Sequence, residues 1–145
     1  CHRLGDLNRT AEYYAQALKI DSKNEESWFG RGSVLLELEQ YEEAILCFDN
    51  ALSIGPTNTK VLYNKGVALA CLKKFQQAST YLARAVEIDT HYVNAWFLKA
   101  HIEKLLGNTV DAVTACQAFL KLAQPSSEDQ RALVSSWLKE LKHMH

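Results

Sequence analysis

An all-α solenoid of stacked helix hairpins is the fold this chain predicts, and three observations predict it. Apolar residues recur at three and four positions, as in Trp28, Leu35 and Leu36 and then Tyr41, Ala44, Ile45, Phe48 and Leu52, which is the spacing of amphipathic helices. The pattern then repeats every 34 residues: Tyr14, Phe48, Leu82 and Cys116 form one series, Ala17, Ala51, Ala85 and Phe119 another, and Ile20, Ile54, Ile88 and Leu122 a third. Leu7, Tyr41, Phe75 and Thr109 keep the same step, as do Thr10, Ala44, Ala78 and Ala112, and Gly32, Gly66 and Ala100. Finally, six Gly and two Pro in 145 residues are too few turn-formers for a strand-dense sandwich or a low-complexity chain. A unit of two helices cannot bury its apolar face alone, so a period of this length implies units stacked on one another.

The elements follow in order. Residues 7–20 match the second helix of a unit, with a helix read at 8–20 and Gly5-Asp6 read as an inter-helix turn at the register of Gly107-Asn108. Only Cys1 to Leu4 then remain of a first helix, leaving Leu7, Tyr13, Tyr14 and Ala17 without a hairpin partner. Either an upstream helix or a second copy of the chain would cover that face. Helices are expected next at 25–38, 41–54, 59–72, 75–88, 93–106 and 109–123. The breaks fall at Glu39-Gln40, Lys73-Lys74 and Gly107-Asn108 within hairpins, and at Gly55 to Asn58 and Asp89 to Tyr92 between them, short enough to force antiparallel neighbours. Gly32 and Gly66 sit inside helices at a cost of about 1 kcal/mol each, which close helix approach offsets, helped by Ala44, Ala78 and Ala112 on the facing helices. A last helix at 127–142 opens on Ser127 and Gln130, a capping-box pair, and carries the stripe Leu133, Val134, Trp137, Leu138 and Leu141. That stripe seals the array as a terminal cap, or, as the alternative, docks a partner through Trp137.

Charge and reactive residues exclude much chemistry. Sixteen Lys and Arg against 17 Asp and Glu give a net charge of −1, so no overall field draws nucleic acid or an anionic membrane. Cys1, Cys47, Cys71 and Cys116 lie far apart with no C-x-x-C pair, which fits a reducing compartment and a cytoplasmic location. Cys47 and Cys116 fall at core places of their helices and read as small buried hydrophobes. No 18-residue apolar run and no signal-peptide pattern occurs, and the chain opens on Cys1 rather than Met, as a cut, renumbered or processed chain does. The five His show no catalytic spacing, and no H-E-x-x-H, G-x-S-x-G or phosphate-cradling Gly-rich loop is present, so no active site and no cofactor is expected. His143-Met144-His145 offers two metal ligands on a terminal tail, too few for a metal site.

A 34-residue helical hairpin with W-x-x-x-G, A-x-x-x-F and a closing Pro resembles the tetratricopeptide repeat. Residues 25–58 carry Trp28, Gly32, Ala44, Phe48, Ala51 and Pro56 at the family's places, while Arg31 and Leu35 stand where it usually has Leu and Tyr. Residues 59–92 keep Gly66, Ala78 and Ala85, and residues 93–126 keep Trp96 and Ala112. The resemblance implies a right-handed solenoid of about three and a half units, divided as 1–24 (partial), 25–58, 59–92 and 93–126, closed by a capping helix and tail at 127–145.

It also implies a function: a non-catalytic interaction module or scaffold whose concave groove holds a peptide or helix of a protein partner. The first helix of each unit would line that groove with Phe29, Ser33 and Leu36, with Tyr63, Asn64 and Val67, and with Phe97, His101 and Lys104. Phe29, Tyr63 and Phe97 stand one period apart, either as an aromatic ladder for a partner or as rings packed on neighbouring helices. Family members that clamp a chaperone's C-terminal carboxylate carry Lys, Asn and Arg where this chain has Phe29, Ser33, Asn64, Asn94 and Leu98, so only Asn64 of that clamp survives. Arg31, Lys65 and Lys99 put one cation per unit, with heads reaching water over packed stems or forming a basic stripe for an acidic segment. Alternatives to the groove-binding module are a regulatory or substrate-presenting segment of a larger enzyme, and self-assembly as a homodimer through the N-terminal helix face.

Overall fold

The computed structural model describes residues 2–124 and 127–143; Cys1, and the Met144 and His145 of the terminal His-Met-His reading, lie outside the described residues. Eight helices follow in chain order: α1 (His2–Ile20), α2 (Glu25–Glu37), α3 (Tyr41–Ile54), α4 (Thr59–Cys71), α5 (Phe75–Ile88), α6 (Val93–Leu106), α7 (Thr109–Leu122) and α8 (Glu128–Lys142). Each packs on the next, and α2, α4, α6 and α8 also lie side by side, which is the all-α solenoid the period predicts.

One turn closes all three hairpins. After α2, the Glu39 N–H donates to the Leu36 carbonyl at 3.0 Å and the Gln40 N–H to the Leu35 carbonyl at 2.9 Å, the paired bonds of a Schellman motif. Lys73 and Lys74 repeat them after α4, and Gly107 and Asn108 after α6. The motif needs a left-handed residue, and Glu39, Lys73 and Gly107 take φ of 62°, 62° and 78°. Within the hairpins the expected close approach is present: a Cβ on Gly32 would lie 2.6 Å from the Phe48 ring, and one on Gly66 would lie 3.0 Å from Leu82.

Between units, indole and amide side chains tie the loops. Trp28 Nε1 donates to the Ser22 carbonyl at 2.8 Å, and Trp96 Nε1 repeats the bond to Thr90 at 2.9 Å. The Asn24 side chain caps α2 and that of Asn58 caps α4. Asn58 Nδ2 also donates to Glu25 Oε1 at 2.7 Å, linking successive caps. The core divides into three clusters along the array, centred on Phe48, on Leu62 with Leu82, and on Phe119 with Val134.

Three expectations are corrected. Gly5-Asp6 is not a turn: α1 runs unbroken through it from His2, because a helical Gly costs only about 1 kcal/mol. Asn8 and Thr10 side chains bonded to the Leu4 and Asp6 carbonyls, and an Arg3–Glu37 ion pair at 2.8 Å, hold that turn of α1 in place. Tyr14 is not bare either, since its ring covers Gly30 so closely that a Cβ there would lie 2.4 Å away, whereas Tyr13 stays 69% exposed. The Ser127/Gln130 capping box does not form, as Ser127 makes no side-chain cap bond. Instead Arg131, from the first turns of α8, donates to the Leu120 and Ala123 carbonyls, both at 3.0 Å, and satisfies the C-terminal end of α7. No described helix is long and apolar enough to cross a membrane.

Candidate partner-binding groove

The side-by-side helices α2, α4 and α6 present one stripe each. Phe29, Ser33 and Leu36 on α2, Tyr63, Asn64 and Val67 on α4, and Phe97 and Lys104 on α6 are half-buried, and His101 is exposed. The three aromatics are braced from behind: Phe29 lies 6.3 Å from the Phe48 ring, Tyr63 lies 5.1 Å from Tyr92, and Phe97 lies 5.3 Å from Phe119. Burial pushes the Tyr63 and Tyr92 hydroxyl pKa values up, so both rings stay neutral well above physiological pH.

Helix α8 takes the place a further unit's first helix would occupy, beside α6. Trp137 is only 8% exposed, which overturns the reading of its stripe as a docking surface. Its ring lies 5.6 Å from Phe97 and stacks on His101 at 5.2 Å, while Lys104 pairs with Glu140 at 2.8 Å. Desolvation against α8 and the nearby Lys104 charge hold the His101 pKa below its ordinary value, so its imidazole is neutral at physiological pH. Phe97, His101 and Lys104 are therefore tied to α8, while Phe29, Tyr63 and Val67 have no such cover.

Between α4 and α6 the stripe opens into a cavity of about 320 Å³, walled by Val67, Ala70, Cys71, Leu98 and Leu105 over Ile102, with Phe75 at one end and His101 and Lys73 at the rim. Leu105 is 53% exposed, apolar surface left uncovered inside the cavity. Apolar walls with few polar groups at the edge suit an apolar side chain better than a charged ligand.

Two of the three cations in the series are paired within the chain and carry no free head into water. Lys65 is buried, bonded to the Asp49 carboxylate and donating to the Tyr81 hydroxyl at 2.8 Å. Lys99 lies 3.5 Å from the carboxylate of Glu103. Burial pushes the Lys65 pKa down, but these partners outweigh it and leave the ammonium more basic than usual. Glu103 is the functional-looking group that sequence reading missed: it is 1% exposed, at the place where Leu69 and Leu35 stand one and two units earlier. Ser79 donates to it, as does Asn108 Nδ2 at 2.8 Å. Burial raises its pKa, yet these donors and Lys99 prevail and hold it below the ordinary carboxylate value. Its polar partners Ser79, Lys99 and Asn108 all belong to the chain's own packing.

Cys47 and Cys116 are buried as expected, and burial raises both thiol pKa values. Among the described residues no group of three or more His, Cys, Asp or Glu converges on a metal position.

Residues 25–58 and 59–92 each match the family model for the tetratricopeptide repeat. The chain is 34% identical over 96 residues to a DnaJ homolog subfamily C member 7 homolog of Schizosaccharomyces pombe, covering 63% of this chain and 20% of that protein. It spans about a fifth of the length of the curated relatives it matches. Among solved structures, YrrB, a tetratricopeptide protein with an unusual peptide-binding site, superposes with a TM-score of 0.81 at 26% identity, covering 99% of this chain and 74% of YrrB. The first tetratricopeptide domain of Spaghetti, bound to an HSP90 peptide, gives 0.73 at 21% identity, covering 85% and 94%. The hairpin turns, the glycine–ring crossings and these matches agree, and the chain belongs to the tetratricopeptide repeat family.

Proposed function

We propose that the chain is a protein-interaction module whose groove binds an extended peptide or a helix of a partner, with an apolar partner residue seated between α4 and α6. The observation that carries this reading is the 320 Å³ apolar cavity on the stripe bearing Val67 and His101, with Leu105 left exposed in it. YrrB and the Spaghetti domain, both similar in fold, have peptide sites of their own, which supports the class of ligand. The groove residues are Phe29, Ser33, Leu36, Tyr63, Asn64 and Val67, continued by Phe97, His101 and Lys104 beside α8. The HSP90-peptide likeness extends to the fold alone, because Asn64 is the one residue of the carboxylate clamp that the chain carries. The preformed backbone leaves most of the ordering cost to the peptide.

Selection of a random 12-residue peptide library on the chain tests this. Enriched peptides carrying a shared apolar anchor are expected to lose at least tenfold in affinity for a Leu98→Asp/Leu105→Asp variant of equal helicity. Peptides that bind the variant as well as the parent place recognition elsewhere.

A further inference from the structure

A second cavity, of about 340 Å³, lies on a different stripe of α2 from the groove. Trp28, Arg31 and Leu35 wall it from α2, and Glu43, Leu46, Cys47 and Asn50 from α3. Arg31 Nε is buried beside it with no hydrogen-bond partner, an orphan of the kind that is costly to leave unsatisfied.

The repeat itself tells what is missing. Arg31, Lys65 and Lys99 occupy one register. In the next unit, Lys65 is satisfied by the carboxylate of Asp49 and the phenol of Tyr81. One period earlier those two places hold Ala15 and Cys47, two small residues that supply neither a carboxylate nor a ring. The third unit solves the problem otherwise, with Glu103 beside Lys99, but the residue in that register of the first unit is Leu35. Glu43, the cavity's own acid, forms no ion pair with Arg31 within 4.0 Å. Thus the first unit has the cation and the space, and lacks both the anion and the ring.

We propose that this cavity is a second binding site, which takes an acidic side chain together with an adjoining aromatic from a partner polypeptide. The carboxylate faces Arg31 as Asp49 faces Lys65, and the ring lies over Cys47 against Trp28 and Leu46 in the space Tyr81 fills one unit later. Two groups carried by separate residues are what a polypeptide presents, and the apolar walls with one cation complement that pair. The site shares no lining residue with the groove, so it stands or falls independently of it.

Titration of the ¹⁵N-labelled chain with the blocked dipeptide Ac-Asp-Tyr-NH2 tests it, read on the Trp28 indole and Arg31 side-chain resonances. Saturable shifts are expected, with half-saturation on the order of 1 mM for so small a probe. Affinity should fall at least tenfold for Ac-Asn-Tyr-NH2, fall with added salt, and rise in Glu43→Gln. Arg31→Leu restores the residue this family usually carries and should abolish the shifts. Ala15→Asp/Cys47→Tyr, which rebuilds the second unit's solution, should abolish them and raise the melting temperature. Equal response to the Asn probe, or shifts that survive Arg31→Leu, overturns the proposal. So does binding of free 4-hydroxyphenylacetate with none of the dipeptide, which would make this a small-molecule site.

Discussion

Position 39 and its repeats at 73 and 107 face one backbone requirement and meet it with different residues. A left-handed φ strains any side chain with a Cβ, yet Glu39 and Lys73 hold φ of 62° while Gly107 occupies the same place at 78°. Glu39→Gly is therefore expected to stabilise the chain by about 0.5 kcal/mol, the relief exceeding the entropy that Gly adds to the unfolded state. Gly107→Ala should cost about 1 kcal/mol, and because a Cβ there meets nothing within 4 Å, the loss is conformational alone. Urea midpoints with unchanged m-values check both. Glu103 carries one part of the pH dependence. Its folded pKa is depressed, so its contribution is complete above the unfolded carboxylate value near 4.3 and is lost as pH falls through the lower folded value. Glu103→Gln should lose roughly 1–3 kcal/mol at pH 7 and lose the matching part of the acid-side slope. An acid limb identical to the parent's would show that Glu103 contributes no linkage.

At the scale of the element, α8 is held by the Trp137 ring and the Arg131 guanidinium together with Val134, Leu141 and the Lys104–Glu140 pair. Trp137 fills the space against Phe97 and His101, so Trp137→Ala should cost about 3–5 kcal/mol. Because each helix contacts only the next helix and, in the even-numbered layer, the next but one, that loss should fall on α8, α7 and the facing part of α6, with amide protection in α3 to α5 unchanged. A uniform loss of protection across the chain would show tighter coupling than a linear array allows. The outlines of seven helices were legible in sequence to within a residue or two, since the period and the turn residues repeat together. The start of α1 was not, because Gly5 shares Gly107's register but lies in helix, and a Gly tolerates either conformation. Nor was the Arg131 cap on α7 or the burial of Glu103 against Ser79 of α5, each of which joins residues from different helices that no local spacing pairs. The groove stripe follows from register, as Phe29, Tyr63 and Phe97 do. Which of their faces stay open depends on Phe48, Tyr92 and Trp137, and so on packing.

Over the whole molecule, stability is a sum of hairpins and the contacts between them, and the two ends differ. Helix α8 packs on both α7 and α6, and contributes Val134, Trp137 and Leu141 to a cluster with Phe119. Helix α1 packs on α2 alone, and Leu18 is the one core residue it buries among those described, with Leu4, Tyr13 and Ile20 exposed. Burying Leu18 offsets only about 1.5–3 kcal/mol of the cost of ordering a helix of 19 residues, and the Tyr14 ring over Gly30, only half-buried, adds less than a full side chain's share. Opening should therefore begin at α1 and leave the hairpins α2–α3, α4–α5 and α6–α7 intact, an opening of low free energy beneath global unfolding. Native-state hydrogen exchange is expected to find α1 amides protected at least 100-fold less than those of α4 to α6, with weak dependence on denaturant. If α1 exchanges with the same free energy and the same denaturant slope as α5, the chain unfolds as one unit, and the arithmetic of independent hairpins does not apply to it.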